Sequence, residues 1–385
     1  MFKKVILLSL INSVFIFCSS PMTLHTKRHA EIVSESPFVL GCSVSSEVTT
    51  GVFEVSSHKP HLVLEFKTPT KEIQDFPAYI KQVLHLLKTE YGIIPKAISF
   101  ASPGTIDSSK VHVYHPHLPW SIEGKEDQKG IDGKAVQREV GISHISFIND
   151  FESVGLGTQA LDRQQVITLQ AGENVAQAPV AVIGAGDGLG AGLLVWDGVL
   201  KNYKPLPLNY SFTEFGAHDE LELQYYKYLE QTIGINAWGK VLGGAGGILE
   251  IYKFFNSVKK YKEPFVQYSH YQEVFANRST SERCKDAVKF FMKLYARFIR
   301  NAAYTLNTKN GVYITNTIAE KNPELFTDKA FLDELVNFNP EVVNGHTKYL
   351  KGYLAKIPFY LVTNPQVSLY GAGLHAAAHM PTITK

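Results

Sequence analysis

Two short segments carry residue types suited to phosphate and proton chemistry. Gly184-Ala185-Gly186-Asp187-Gly188-Leu189-Gly190 lies between the apolar strands Pro179 to Ile183 and Gly190 to Trp196. A dinucleotide fingerprint would run on into a helix. Here the strand-like run Ala191 to Trp196 follows, so the segment reads as a glycine-rich hairpin whose backbone amides can face phosphates. Taken alone, a plain tight turn explains the glycines about as well. The second segment, Asn149-Asp150, ends the strand His144 to Ile148, just before a helix that begins near Phe151. In its plainest reading Asp150 caps that helix. His112, His115 and His117 occupy a strand-like stretch. Alternating with Pro and Tyr, they read as surface or core filling and do not meet the demands of a metal site.

The elements that must hold these segments follow from periodicity. Pro37 to Val44 and Gly51 to Val55 read as two strands joined by a polar turn, and His61 to Phe66 as a third. Phe76 to Tyr91 carries Ile80, Val83, Leu84 and Leu87 at helical spacing. Ala97 to Ala101 is a strand ended by Ser102-Pro103-Gly104. Three leading strands followed by alternating helices and strands predict an α/β domain with a mixed sheet. A second set starts with Val166 to Leu169 and Pro179 to Ile183 and returns at Val312 to Thr315 and Phe359 to Thr363. Helical patterns at Glu220 to Thr232, Gly246 to Phe255 and Ser281 to Leu306 separate them, and Gly371 to His379 reads as a closing helix.

The chain has 385 residues, too many for one ordinary core. It is 45% apolar and 19% charged, as a globular protein is. With a net charge of +2 and no long basic run, it gives no reason to expect nucleic acid or a polyanionic partner. Cys18, Cys42 and Cys284 stand too far apart for a metal knuckle, and a single Cys42 to Cys284 bridge is left open for an oxidising compartment.

Lys3 and Lys4, the apolar run Val5 to Phe17, and Cys18-Ser19-Ser20 have the three-part layout of a secretory signal. The run is too short to span a bilayer comfortably. Cys18 resembles the lipid-attachment cysteine of bacterial lipoproteins, though Phe17 replaces the usual small residue. Export or membrane anchoring at the N-terminus is the expectation. The alternative is a cytoplasmic protein whose first residue is Met22.

Several motifs occur in one order. They are Ser102-Pro103-Gly104, Leu118-Pro119-Trp120, Phe147-Ile148-Asn149-Asp150-Phe151, the hairpin at 184–190, Val241-Leu242-Gly243-Gly244-Ala245-Gly246, and Leu369-Tyr370-Gly371-Ala372-Gly373-Leu374. Over about Phe38 to His379 this set resembles the bacterial glucokinase family. The resemblance implies an actin/hexokinase-like (ribonuclease H-like) α/β fold of two domains with a cleft between them. Residues 1–21 would be the signal-like segment and 22–36 a polar linker. Residues 37–160 plus 366–385 would form the small domain, and 161–365 the large one.

The resemblance also implies a reaction, phosphorylation of glucose to glucose 6-phosphate by ATP with Mg2+. Asp150 matches the family's base, and Asn149 its neighbouring sugar-binding asparagine. Ser102, His117 and Asn209 fall on the sugar side; Gly184, Gly186, Gly188, Gly190 and Gly371 fall on the nucleotide side. Other positions depart from the pattern. The first phosphate loop, Asp-Xaa-Gly-Gly-Thr in the family, reads Gly41-Cys42-Ser43-Val44-Ser45-Ser46-Glu47, with Cys42 at the aspartate position. Asp187 replaces a threonine, and a carboxylate repels the phosphate that a hydroxyl would hold. Asn316-Thr317 replaces a Gly-Gly pair near the adenosine site.

On the sugar side, Asn209, Tyr210, Ser211 and Phe212 stand for Glu-Gly-Gly-His, and Gly239 stands for a second glutamate. A shifted alignment would put Glu214 and His218 there, with a spacing one residue too long. His117 stands for an asparagine. Tyr210, Phe212 and Trp238 either line a more aromatic cleft, suited to stacking on a sugar, or fill space. The expectation is a glucokinase-like protein of weak or lost activity. The alternative is a non-catalytic exported protein that binds a ligand or a partner.

Overall fold

A computed structural model describes residues 24–32, 36–56, 59–199, 201–243, 246–336 and 344–381. The segment 1–21 with Cys18, and part of 22–36, lie outside the described residues. The chain builds two six-stranded sheets, each with its own core. The first uses β1 (His25–Arg28), β2 (Phe38–Val44), β3 (Glu47–Ser56) and β4 (Lys59–Pro69). Helix α1 (Phe76–Tyr91) then leads to β5 (Ile98–Ser102). Asp75 caps α1 by accepting from the Ala78 N–H at 2.9 Å, and Gly92, with φ of +67°, ends it. The apolar stripe Ile80, Val83 and Leu87 packs on Phe100 and Leu40 in the first core.

A small four-stranded sheet follows, made of β6 (Thr105–Ile106), β7 (His112–Tyr114), β8 (Ser121–Ile122) and β9 (Lys125–Asp132). Helix α2 (Gly133–Val140), strand β10 (Ile145–Asn149) and helix α3 (Asp150–Thr158) complete this half. Its large sheet runs β1-β4-β3-β2-β5-β10. Strands β2, β5 and β10 are parallel, so their carboxyl ends share one edge.

The second sheet runs β11 (Val166–Gln170), β16, β15, β12 (Val180–Ala185), β13 (Leu189–Asp197), β14 (Asn202–Pro207), where β15 is Val312–Thr315 and β16 is Phe359–Val362. Between β14 and β15 come α4 (Glu220–Thr232), α5 (Trp238–Leu242), α6 (Gly247–Val258), α7 (Tyr271–Ala276) and α8 (Glu282–Thr305). After β15 come α9 (Thr317–Lys321), α10 (Pro323–Thr327), α11 (Lys329–Val336) and α12 (Gly345–Leu354). The closing helix is α13 (Val367–Ala378). A buried ion pair, Glu222 to Arg297 at 2.8 Å, ties α4 to α8. Burial pushes the Glu222 carboxyl up, but its bonds to Arg297 and Lys293 outweigh this and hold it below the usual range.

Helices α3 and α13 cross between the two halves, and glycine lets them touch. A Cβ on Gly157 would sit 1.9 Å from the Val367 carbonyl oxygen. One on Gly371 would sit 1.7 Å from that of Ser153. Helix α13 also lies on β2, where a Cβ on Gly41 would meet the Gly373 nitrogen at 2.5 Å.

The bridge left open between Cys42 and Cys284 is not formed. Both thiols are free and fully buried, Cys42 in the first core and Cys284 in the second. Burial pushes the Cys42 thiol up to about 12, which makes it an inert core residue.

His375 on α13 is held neutral inside the first half. Its Nδ1 lies 2.8 Å from Ser99 Oγ and 3.2 Å from Ser146 Oγ, and its ring stacks near His379. Burial pushes its pKa down from 6.5 to about 3, helped by the charges of His379 and Lys110. The unfolded chain therefore binds a proton at His375 in a window where the folded one does not. This stability is complete above about 6.5 and is lost progressively as pH falls toward about 3. Thermal midpoints measured across that window should fall with acid in the intact chain and fall less in His375→Gln.

Candidate functional site

The parallel strands β2, β5 and β10 deliver Ser43, Ser102 and Asn149 to the same edge. Ser102 and Asn149 are direct partners across β5 and β10. Open α/β sheets bind ligands outside such carboxyl ends. Helix α3 starts there, and Asn149, rather than Asp150, is its N-cap. The Phe151 N–H donates to Asn149 Oδ1 at 3.0 Å, and the Asn149 N–H donates to Glu152 Oε2 at 3.1 Å. This capping box leaves Asp150 as the first helical residue, half-buried, with Oδ1 also accepting from the Phe151 N–H at 2.9 Å. Burial raises the Asp150 carboxyl above its usual range, against the lowering pull of that N–H and of the Asn149 side chain. A raised carboxylate is a better proton acceptor. Ser102 is buried and donates to its neighbour, the Pro103 carbonyl, at 3.0 Å.

The glycine segment forms the hairpin between β12 and β13, with Gly184 opposite Gly190 and the Gly186 N–H donating to the Gly188 carbonyl at 2.8 Å. Phe151, the residue after Asp150, packs into it. A Cβ on Gly190 would lie 2.0 Å from the Phe151 ring and one on Gly184 would lie 3.2 Å from it. Asn316, at the end of β15, fills the other side, 2.8 Å from such a Cβ on Gly184 and 2.7 Å from one on Gly186. Gly188 alone faces open space, beside the exposed Asp187. The hairpin glycines thus admit a ring and an amide from neighbouring elements. Asn316 itself holds φ of +79° and ψ of 174°, a backbone region kept almost entirely by glycine.

Tyr271 of α7 is a site neighbour that sequence patterning does not mark. Burial raises its hydroxyl, helped by the charge of Asp187, and that hydroxyl accepts from Gln272 Nε2 at 3.5 Å. The turn between β2 and β3 is also tied down. Thr70 donates from Oγ1 to the Ser45 carbonyl at 2.6 Å and from its N–H to the Ser46 carbonyl at 3.0 Å. Val44 is buried. Ser43 joins α13 through Ser368 Oγ at 3.2 Å, and Ser153 donates to the Ser368 carbonyl at 2.7 Å.

On the second half, Asn209 is exposed, and its carbonyl accepts from the Phe212 N–H at 2.9 Å. The turn 210–212 closes on Gly239, where a Cβ would lie 3.2 Å from the Ser211 carbonyl oxygen. Trp238 is buried against Phe215 and Phe298, and Tyr210 packs on Phe298 at 5.0 Å. These two fill the core, while Phe212 is 73% exposed. Glu214 and His218 are exposed as well; the His218 N–H donates to Glu222 Oε2 at 2.7 Å. His117 is exposed, and its ring meets that of His115 at 5.4 Å.

Asp150, Asn149, Ser102 and the hairpin glycines therefore converge around the start of α3. Gly371 lies buried where α13 crosses α3, Asn209 is on the surface turn beside Gly239, and His117 is on the small sheet's loop. Among the described residues, no group of three or more His, Cys, Asp or Glu could hold a metal ion. Mg2+ that arrives with nucleotide phosphates needs only one or two carboxylates. Asp150 and Glu152 at the start of α3 and Asp187 in the hairpin are the carboxylates of these elements.

The family model and the curated relatives agree on one family. The family model described as Glucokinase matches residues 49–379. A glucokinase of Nostoc punctiforme is 30% identical over 324 residues, which is 79% of this chain and 88% of that protein. Among solved structures, a glucokinase from an Antarctic psychrotroph superposes with a TM-score of 0.74 at 17% identity, covering 89% of this chain and 99% of that one. A glucokinase from Balamuthia mandrillaris in complex with glucose gives a TM-score of 0.67 at 16% identity, over 89% and 94%.

Proposed function

The chain belongs to the glucokinase family, and we propose that it transfers a phosphoryl group from ATP to a hexose hydroxyl with Asp150 as base, slowly by the family's standard. The observation that carries this reading is the contact of Phe151 with Gly184 and Gly190. It sets a proton-accepting carboxylate beside the hairpin where phosphates would lie. In the step, the sugar oxygen forms a bond to the terminal phosphorus, and the bond from that phosphorus to the bridging oxygen breaks. The hydroxyl proton passes to Asp150, and ADP leaves. An aligned base contributes about 10²- to 10⁴-fold to such a rate.

Asp187 and Asn316 set the slow pace. One adds negative charge where phosphate charge must be offset, and the other occupies space beside Gly186. Incubating the protein with ATP, Mg2+ and a panel of hexoses, glucose among them, should yield sugar phosphate at a low rate. Absence of product with every hexose overturns the reading.

A second reading, a non-catalytic exported or membrane-anchored protein that binds a ligand or partner, is favoured by the closure of the turn at Ser211 onto Gly239. That closure leaves little room for the family's second sugar glutamate. Product formation in the same assay would dismiss it.

A further inference from the structure

A groove of about 350 Å3 lies away from the start of α3, where the β3 and β4 strands, the link after α3 and the first turn of α13 meet. Glu54, His61, Leu62, Asp162, Gln165 and Tyr370 line it. Its volume is within the range of small-molecule sites. Glu54 is only 8% exposed, yet among the described residues it has neither a hydrogen-bond nor an ion-pair partner. His61, its neighbour across the strands, does not reach it as a partner. Its carboxylate oxygens are not sealed from solvent, and Glu54 lines the groove, where a ligand can meet the unpaired charge.

Asp162 adds a second carboxylate from the other wall. Gln165 is already committed, its Oε1 accepting from the Asp162 N–H at 2.8 Å. The Tyr370 ring, set edge-on to Phe53 at 5.7 Å, supplies an aromatic surface beside both acids. Leu62 and Val63 supply an apolar strip.

Glu54, His61 and Asp162 do not converge into a three-ligand cluster, so among the described residues the groove offers no cage for a bare metal ion. They suit a cation that brings its own hydrocarbon. An ammonium pairs with carboxylates by charge-assisted hydrogen bonds, and its alkyl stem lies along apolar and aromatic walls.

We propose that this groove binds a small alkylammonium compound, with its charged end between Glu54 and Asp162 and its stem beside Leu62 and Tyr370. Such a ligand would join the first sheet to the link that leads into the second, since Glu54 is on β3 and Asp162 follows α3. The site is independent of the phosphoryl chemistry.

Titration calorimetry and thermal unfolding of the full chain with putrescine test it, against NaCl of matched ionic strength and against MgCl2. Binding is expected, with a rise in the unfolding midpoint beyond that of either salt. Glu54→Gln should weaken binding about 10-fold or more. Asp162→Asn should weaken binding as well. A putrescine effect no larger than that of NaCl, an equal effect of MgCl2, or unchanged binding in Glu54→Gln would each overturn the proposal.

Discussion

Asp150→Asn lowers sugar phosphorylation by about 10²- to 10⁴-fold, the range an aligned general base supplies, while the affinity for the sugar changes little. The substitution keeps the local structure. An asparagine Oδ1 can accept from the Phe151 N–H as Asp150 does now at 2.9 Å, and Asn149 with Glu152 still caps the helix. Stability should hold or rise, because burial already opposes the Asp150 charge. The defect therefore reads as lost proton transfer rather than lost folding. Sugar titrations and initial rates on the two proteins separate binding from chemistry.

The pH profile gives an independent check. A base works when ionised, and the Asp150 carboxyl titrates above the usual carboxylate range. The rate should fall as pH drops through that raised value, and Asp150→Asn should lack this limb. An unchanged rate in the variant would point to Glu152, whose carboxyl is also raised by burial and which lies two residues along the same helix.

The strand, Asn-Asp and helix at 145–158 are legible in the sequence because an apolar run stops at strong capping residues. Which of the two caps is not legible, since Asn and Asp rank alike as caps. Only the backbone entry shows Asn149 in the cap and Asp150 free for chemistry. Strand β9 escapes pattern reading because Lys125 to Lys129 are polar and exposed; only its last residues enter the core.

The glycines mark close approaches without saying what approaches. At Gly190 it is the Phe151 ring, at Gly371 the Ser153 carbonyl, and at Gly239 the Ser211 carbonyl. Each neighbour is distant in sequence, so tertiary packing decides the role. The aromatic residues teach the same lesson. Tyr210, Trp238 and Phe212 look alike as candidates, but two pack on Phe298 and of the three Phe212 is the one exposed.

Asp187→Thr combined with Asn316→Gly should raise kcat/KM for ATP about 10-fold or more. Two unit charges 4 Å apart repel by about 1 kcal/mol in water and about 4 kcal/mol near a protein surface. Asp187 is exposed, so salt screens part of this, and the gain should shrink as salt is added. Threonine replaces repulsion with a donor. It also removes the negative charge that lies near the Tyr271 hydroxyl.

Asn316→Gly acts through backbone and space together. Residues held in rare backbone regions cost about 1–3 kcal/mol each, and glycine adopts φ of +79° without strain. Removing the amide clears the atom that sits 2.7 Å from a Cβ position on Gly186. The loss is the bond from the Thr317 N–H to Asn316 Oδ1, 2.8 Å, at the start of a helix of only 5 residues.

Steady-state kinetics with ATP varied at fixed Mg2+ read out the result, with each single variant alongside. A fall in ATP use in Asp187→Thr would show that the carboxylate serves the nucleotide's metal ion instead of opposing its phosphates. The departure from the family at position 187 would then be an adaptation of the phosphate site and not a loss of it.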